Sequence, residues 1–312
     1  MNEKRAAADF LLSHDNYEIL THTNPDGDTL GSGFALCLAL QRLGKRARVI
    51  TDSLPRDFVF LTKDVEEQRF DAETIVSVDV ADEKLLGGNR AAYSGRIALC
   101  IDHHRTNKVA APLKCVDAEA ASNCEILYDI LTLMGVPMDK SIASCLYTGV
   151  STDTGCFKYG NTTSRTHRIA AELLDCGVDA AAINKVMFDT KSKLKLRMER
   201  EIYDTMEFYA DDRCAIIAIT QEMMRRLGVG EDELEGFASL PRQIEGVRIG
   251  LTLREKEENV FKISVRSDKE TNAAAFCERF GGGGHIEAAG CQLRGTLEEV
   301  KARLKAAVDE VL

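Results

Sequence analysis

The chain has 312 residues, of which 45% are hydrophobic and 5 are Pro; it can bury a large core but is long for one compact unit, so two domains are expected. A formal net charge of −10 and a pI near 5.3 argue against tight binding to long duplex nucleic acid, which needs a clustered basic surface, but leave room for small anionic ligands held by divalent cations and a few arginines. No apolar stretch reaches the length of a bilayer crossing, and residues 1–9 lack the apolar core of a signal peptide, so a cytoplasmic protein without a membrane partner is expected.

The first half alternates strands with helices. Tyr17-Glu-Ile-Leu-Thr21 reads as a strand, residues 31–43 as a helix, and residues 47–51, 74–78 and 97–101 as further strands. This order implies right-handed βαβ crossovers and a mainly parallel sheet with helices on both faces, an α/β fold. Helices are expected over 122–134, 141–150, 165–176 and 180–188, with Gly135-Val-Pro137 and Gly177 as stops. Residues 191–209 form a charged segment with apolar residues at helical spacing, read as a helical connector. Strands over 215–219, 247–253 and 260–265 then begin a smaller α/β domain. The expected organisation is a metal-binding catalytic domain over 1–189, a connector over 190–210 and a substrate-binding domain over 211–312.

Ten cysteines are dilute in a chain of this length, and none forms a C-x-x-C pair. Cys37, Cys100, Cys145 and Cys214 fall in apolar patterns, where a reduced thiol acts as a small hydrophobe.

Four strand or helix ends in the first half finish in metal-competent residues. His22-Thr-Asn-Pro-Asp26-Gly-Asp28 follows a strand and opens a helix, with Pro25 and Gly27 letting the backbone turn so that both carboxylates can face one point. Asp79 ends the strand over 74–78; Asp82, three residues on, is better placed to cap the next turn. Asp102-His103-His104 closes the strand over 97–101 and offers oxygen and imidazole donors together. Asp153 lies where a helix runs into a loop, in Gly149-Val-Ser-Thr-Asp153-Thr-Gly155. Any one of these has an ordinary reading as a cap or turn. Together, at the carboxyl ends of parallel strands, they describe one site.

With the C-terminal string Gly281-Gly-Gly-Gly284-His285-x-x-Ala288-Ala289-Gly290, this pattern resembles the DHH phosphoesterases, and within them the nanoRNase type with oligoribonuclease and 3′-phosphoadenosine 5′-phosphate phosphatase activity. The glycine string resembles the signature of their DHHA1 substrate domain. The resemblance implies two divalent ions, manganese suiting the mixed carboxylate and imidazole set. One ion would be held by His22, Asp26 and Asp79, the other by Asp28, Asp79, His103 and Asp153. His104 would face the substrate phosphate and Asp102 would orient an imidazole. Four consecutive glycines suit close backbone approach or exposed amides that cradle an anion, so Gly282, Gly283, Gly284 and His285, with Arg266 and Ser267, are the expected substrate-binding residues.

The activity implied is two-metal hydrolysis of short RNA and dinucleotides to mononucleotides, and of 3′-phosphoadenosine 5′-phosphate to AMP. The alternatives are a cyclic-dinucleotide phosphodiesterase, a manganese inorganic pyrophosphatase, and a nucleotide-binding sensor without turnover. A homodimer is a further implication of the resemblance.

Overall fold

The computed structural model describes residues 2–230, 234 and 236–312. The chain divides into two compact units, residues 1–190 and 191–312. Among the described residues, no helix is long and apolar enough to cross a membrane.

The first unit is built on a five-stranded sheet in the order β2-β1-β3-β4-β5, every pair parallel. Its strands are β1 (Tyr17–Leu20), β2 (Ala47–Ile50), β3 (Thr74–Val78), β4 (Leu99–Asp102) and β5 (Leu113–Val116). The central strands are buried along their whole length because both faces are covered. Side-chain alternation sends Ile19, Val76, Val78, Leu99 and Ile101 into one core and Leu20, Ile75 and Cys100 into another. Residues of α1 (Asn2–Ser13), α2 (Gly27–Arg42), α4 (Asn123–Leu133), α5 (Lys140–Asp153) and α6 (Ser164–Asp175) make up most of the rest of the first core. The opposite face is closed by the short 3₁₀ turn Glu83–Asn89, by Tyr93 of α3 (Arg90–Tyr93), and by Ile97 and Val109.

The helix expected over 180–188 is shorter. Helix α7 (Ala180–Asn184) passes into one wide turn, Lys185–Asp189. The α1 helix and strand β5 were not foreseen. All ten cysteines are free thiols, and most are buried.

In the second unit, α8 (Lys193–Asp204) lies where the connector was read, but the chain then enters strand β6 (Glu207–Tyr209) instead of continuing as helix. Met198 and Ile202 of α8 pack in this unit's own core, against Ile217 and Ile219. The six-stranded sheet has the order β10-β11-β9-β8-β7-β6, formed by β7 (Cys214–Ile219), β8 (Ile249–Glu257), β9 (Val260–Ser267), β10 (Gly283–Gly284) and β11 (Ala288–Arg294) with β6. Only β7 and β8 run parallel. On one face Phe276 and Cys277 of α10 (Ala273–Glu278) and Val300 and Leu304 of α11 (Leu297–Val308) form a core with alternate strand residues; α8 and Met223 of α9 (Gln221–Leu227) serve the other.

Candidate metal centre

Each acid in the first unit is delivered by the end of a regular element. β1 leads through His22 into α2, whose N-cap is Asp26: its Oδ1 accepts from the backbone N–H of Asp28 at 3.0 Å and of Thr29 at 3.1 Å. Asp26 therefore caps a helix and faces the site at once. Asp28, in the first turn of α2, is buried and accepts from the backbone N–H of Asn123 at 2.6 Å and of Cys124 at 3.0 Å, the first residues of α4. A helix N-terminus thus holds this carboxylate and partly offsets its charge.

Close helix packing makes that approach possible. A Cβ on Gly149 of α5 would overlap the Cys124 sulfur and come within 2.7 Å of Asp28 Oδ1, and a Cβ on Gly27 would overlap Thr152. Small residues on α2 and α5 let Asp28 and Asp153, the last residue of α5, share one space.

Asp79 follows β3 with φ of 57°, a left-handed conformation that costs a non-glycine residue about 1–3 kcal/mol. Its backbone N–H donates to Ile101 at 2.9 Å, which holds the turn against the neighbouring strand. One carboxylate oxygen lies 3.6 Å from His22 Nε2, and the other lies 3.5 Å from His103 Nε2 and 3.5 Å from His104 Nδ1. His103 Nε2 also stands 3.8 Å from Asp28 Oδ2 and 3.8 Å from Asp153 Oδ2.

Backbone carbonyls set the ring directions. His22 Nδ1–H donates to Thr23 at 2.9 Å and His103 Nδ1 faces the Ala120 carbonyl at 3.4 Å, so both Nε2 atoms face the carboxylates. His104 is turned the other way. Its Nδ1–H donates to Asp102 Oδ1 at 2.8 Å, and Asn107 Nδ2–H donates to Asp102 Oδ2 at 2.6 Å. Lys114 Nζ then donates to Asn107 Oδ1 at 3.1 Å. Asp102 is fully buried within this chain of bonds.

The electrostatics show a site short of positive charge. Burial, reinforced by Asp26, pushes the Asp28 carboxyl up to about 6, and burial with Asp28 pushes Asp153 up to about 7. Asp79 is raised well above the usual carboxylate range by burial and by Asp28. Burial pulls the His22 imidazole down, but Asp26 and Asp79 outweigh it and lift the ring to about 10. His104 is raised to about 9, chiefly by its bond to Asp102.

A divalent cation fits this arrangement. Asp79 Oδ1 is buried and accepts no hydrogen bond, an acceptor waiting for an electrophile. Among the described residues three groups of potential ligands each gather their donor atoms within 4.8 Å: His22, Asp26 and Asp79; Asp28, His103 and Asp153; and Asp79, His103 and His104. The six residues expected as metal ligands all lie in these groups, and His104 adds a seventh. Two sets of positioning groups were missed. The N–H groups of residues 123 and 124 carry no side-chain signature, although Ser122-x-x-Glu125 is a helix-start pattern. Asn107, five residues beyond Asp102, gave no signal.

In the second unit, the glycine string forms a hairpin. Gly283 pairs with Gly290 and Gly284 with Ala289, and the exposed His285 stands at the turn, its N–H donating to Ala288 at 2.8 Å. A Cβ on Gly282 would overlap the Gly290 carbonyl oxygen. Close backbone approach is therefore one established use of these glycines; Gly283 faces open space. Arg266 is half-buried on β9, paired in register with Ala288. Ser267 is buried, and its hydroxyl donates to the Ile286 carbonyl at 3.1 Å while accepting from the Ala273 N–H at 3.0 Å. That hydroxyl ties the hairpin to α10 and is not presented at the surface.

Residues 17–150 match the DHH family N-terminal domain and residues 215–312 the DHHA1 domain. The chain is 35% identical over 301 residues to the bifunctional oligoribonuclease and PAP phosphatase NrnA of Thermus thermophilus, covering 94% of this chain and 89% of that protein. A probable enzyme of the same name from Streptococcus mutans is 27% identical, with 90% of each chain covered. The crystal structure of an exopolyphosphatase-related protein from Bacteroides fragilis superposes with a TM-score of 0.86 at 26% identity, over 99% of this chain and 96% of that one. The chain belongs to the DHH family.

Proposed function

We propose that this protein is a metal-dependent phosphoesterase that hydrolyses short oligoribonucleotides, down to dinucleotides, to mononucleotides, and 3′-phosphoadenosine 5′-phosphate to AMP. Its similarity to the NrnA enzymes along nearly its whole length supports that substrate range. The observation that carries the chemistry is the Asp79 carboxylate, buried, without a hydrogen-bond donor at one oxygen, and placed between His22 and His103.

His22, Asp26 and Asp79 would hold one divalent cation, and Asp28, Asp79, His103 and Asp153 a second, with Asp79 common to both. Carboxylates mixed with imidazoles favour manganese, since magnesium prefers oxygen alone. Bound cations supply charge for the phosphoryl oxygens and lower the pKa of an attacking water. The remaining chemistry belongs to the chain. His104, fixed through Nδ1 by Asp102, whose bond favours the protonated ring, would present its Nε2–H to a phosphoryl oxygen or to the departing hydroxyl. No side chain is required as a covalent nucleophile. In the second unit, Arg266, Gly283, Gly284 and His285 are assigned to nucleotide binding, with Gly282 and Ser267 shaping the hairpin that presents them.

The test is a substrate panel with metal-stripped protein, with and without manganese: RNA of two to about ten nucleotides, 3′-phosphoadenosine 5′-phosphate, cyclic dinucleotides and pyrophosphate, with products identified. Manganese-dependent release of mononucleotides from dinucleotides and of AMP from 3′-phosphoadenosine 5′-phosphate is expected. Rapid pyrophosphate hydrolysis with dinucleotides untouched would overturn the assignment, as would tight dinucleotide binding without product.

A further inference from the structure

The segment directly after Asp153 has an unusual backbone. Gly155, Cys156 and Phe157 take φ values of 56°, 59° and 63°, three left-handed residues in succession, two of which are not glycine. Such strain persists only where surrounding bonds impose it. Here the Lys158 and Tyr159 N–H groups donate to the Thr154 carbonyl at 2.9 and 3.0 Å, and the Cys156 N–H donates to Ser151 at 2.7 Å. Asn161 Nδ2–H closes the loop by donating to the Ala121 carbonyl at 2.9 Å and the Asp153 carbonyl at 3.1 Å. Phe157 is turned inward and stacks on His167, with centroids 5.2 Å apart.

The product of this geometry is the placement of one ring. Tyr159 lies back over Gly155, where any Cβ would overlap its ring, and yet the residue remains 60% exposed. A large aromatic side chain is thereby held against rigid backbone two residues from a metal-competent carboxylate, with much of its surface in solvent. Exposed aromatics next to a phosphate-handling centre have a physical use. A base stacks on them without regard to its hydrogen-bonding edge, so recognition tolerates any sequence. Burying such a ring in the core would have been the cheaper arrangement for stability alone.

We infer that Tyr159 is a base-stacking platform: the ring on which the nucleobase of a nucleotide bound at the metal centre lies flat. This rests on the nucleotide-hydrolase reading and adds to it a specificity residue, one that separates nucleotides from phosphoesters lacking a base.

The test compares the full-length wild type with Tyr159→Ala and Tyr159→Phe, manganese-loaded, on the dinucleotide pApA and on the same dinucleotide with abasic residues. Tyr159→Ala should raise KM for pApA about tenfold, the order carried by loss of one base–aromatic stack, with kcat nearly unchanged and the abasic substrate unaffected. Tyr159→Phe should behave as wild type, since the ring face is kept. A second readout needs no turnover. Binding of 2-aminopurine riboside 5′-monophosphate should quench its fluorescence on the wild type and Tyr159→Phe but not on Tyr159→Ala. Equal losses on pApA and the abasic analogue, or unchanged quenching in Tyr159→Ala, would overturn the platform. A wild type that quenches the probe but does not cleave pApA would instead overturn the hydrolase reading and leave the platform standing.

Discussion

Asp79 Oδ1 lies 3.5 Å from His103 Nε2, buried and accepting no hydrogen bond, and its residue is held in a left-handed conformation to stay there. A fold tolerates such an acceptor when a cation satisfies it. Asp79→Asn keeps the shape and suits the left-handed backbone, because Asn adopts that region readily. If Asp79 is the ligand shared by two ions, the variant should lose at least about a hundredfold in activity. Titration calorimetry should show weakened manganese binding. At a pH high enough to ionise the raised Asp79 carboxyl, the metal-free variant should melt at higher temperature than metal-free wild type, since one buried like charge is gone. Full activity in this variant would end the shared-ligand assignment.

The sign of the pH dependence comes from the same crowding. Asp28, Asp153 and Asp79 all have carboxyls raised in the fold, to about 6, about 7 and well above the usual range. Groups raised on folding favour the folded state at low pH, and that contribution disappears as pH climbs through the folded values. His22 and His104, raised to about 10 and about 9, act in the same direction at higher pH. Asp26 and Asp102 are lowered, burial opposing and their histidine partners prevailing, so their contribution is lost only in acid, below the ordinary carboxylate range. The metal-free protein should therefore melt at progressively lower temperature from pH 5 to pH 8. Manganese should reverse that slope, and calorimetry in buffers of different ionisation enthalpy should show proton release on binding near pH 6. A flat metal-free profile would contradict the crowding of charge at this site.

His104 offers a separate test. Asp102→Asn preserves an acceptor for His104 Nδ1 but removes the charge that raises the ring to about 9. The imidazole should then lose its proton nearer its ordinary pKa, and the basic limb of the kcat profile should move towards neutrality. At pH 8 turnover should fall about thirtyfold, since an imidazole of ordinary pKa is only about 3% protonated there. Manganese affinity should change little. Should the profile stay in place, His104 does not act through its proton.

The closeness of α2, α4 and α5 can be probed at one glycine. Gly149→Ala places a methyl group onto the Cys124 sulfur and against Asp28 Oδ1. Overpacking of this kind costs about 1–3 kcal/mol, and here part of the displacement falls on Asp28, a proposed metal ligand. Both melting temperature and manganese affinity should drop. Cys124→Ala in the same chain should restore part of each, because it removes the atom that the methyl overlaps. Failure of that rescue would show that the strain is taken up elsewhere.

The residues that announce themselves in the sequence are those whose chemistry lies in their side chains. His22, Asp26, Asp28, Asp79, His103 and Asp153 stand where apolar runs stop, so strand ends and acids are legible together, and the structure brings them into one cluster. The groups that hold them there are mostly invisible in one dimension. Asp28 is seated by two backbone N–H groups, which any residue could supply, and Gly149 matters through a neighbour that sequence does not reveal. Strand β5, Leu-Lys-Cys-Val, is too short and mixed to stand out at a sheet edge. Ser267 shows the opposite limit: placed beside an arginine at a strand end it reads as a ligand-binding hydroxyl, yet backbone groups of the hairpin and α10 occupy it.

The second unit separates presentation from contact. Gly282 has no room for a side chain, a Cβ there coming within 2.5 Å of Cys291 Cβ as well as overlapping Gly290. Arg266, by contrast, donates from Nη1 to the Val265 carbonyl at 3.0 Å, and its guanidinium retains further donors for a phosphate or a face for a base. Gly282→Ala should lower the melting temperature and raise KM for dinucleotides together, because the hairpin itself is displaced. Arg266→Ala should raise KM for pApA about tenfold with kcat within about twofold and no loss of stability, the pattern of a group that binds substrate and transition state alike. Neither change should alter manganese binding, since every candidate ligand among the described residues lies in the first unit. If Arg266→Ala instead lowered kcat with KM unmoved, Arg266 would belong to the chemical step, and the division of labour between the two units proposed for this chain would have to be redrawn.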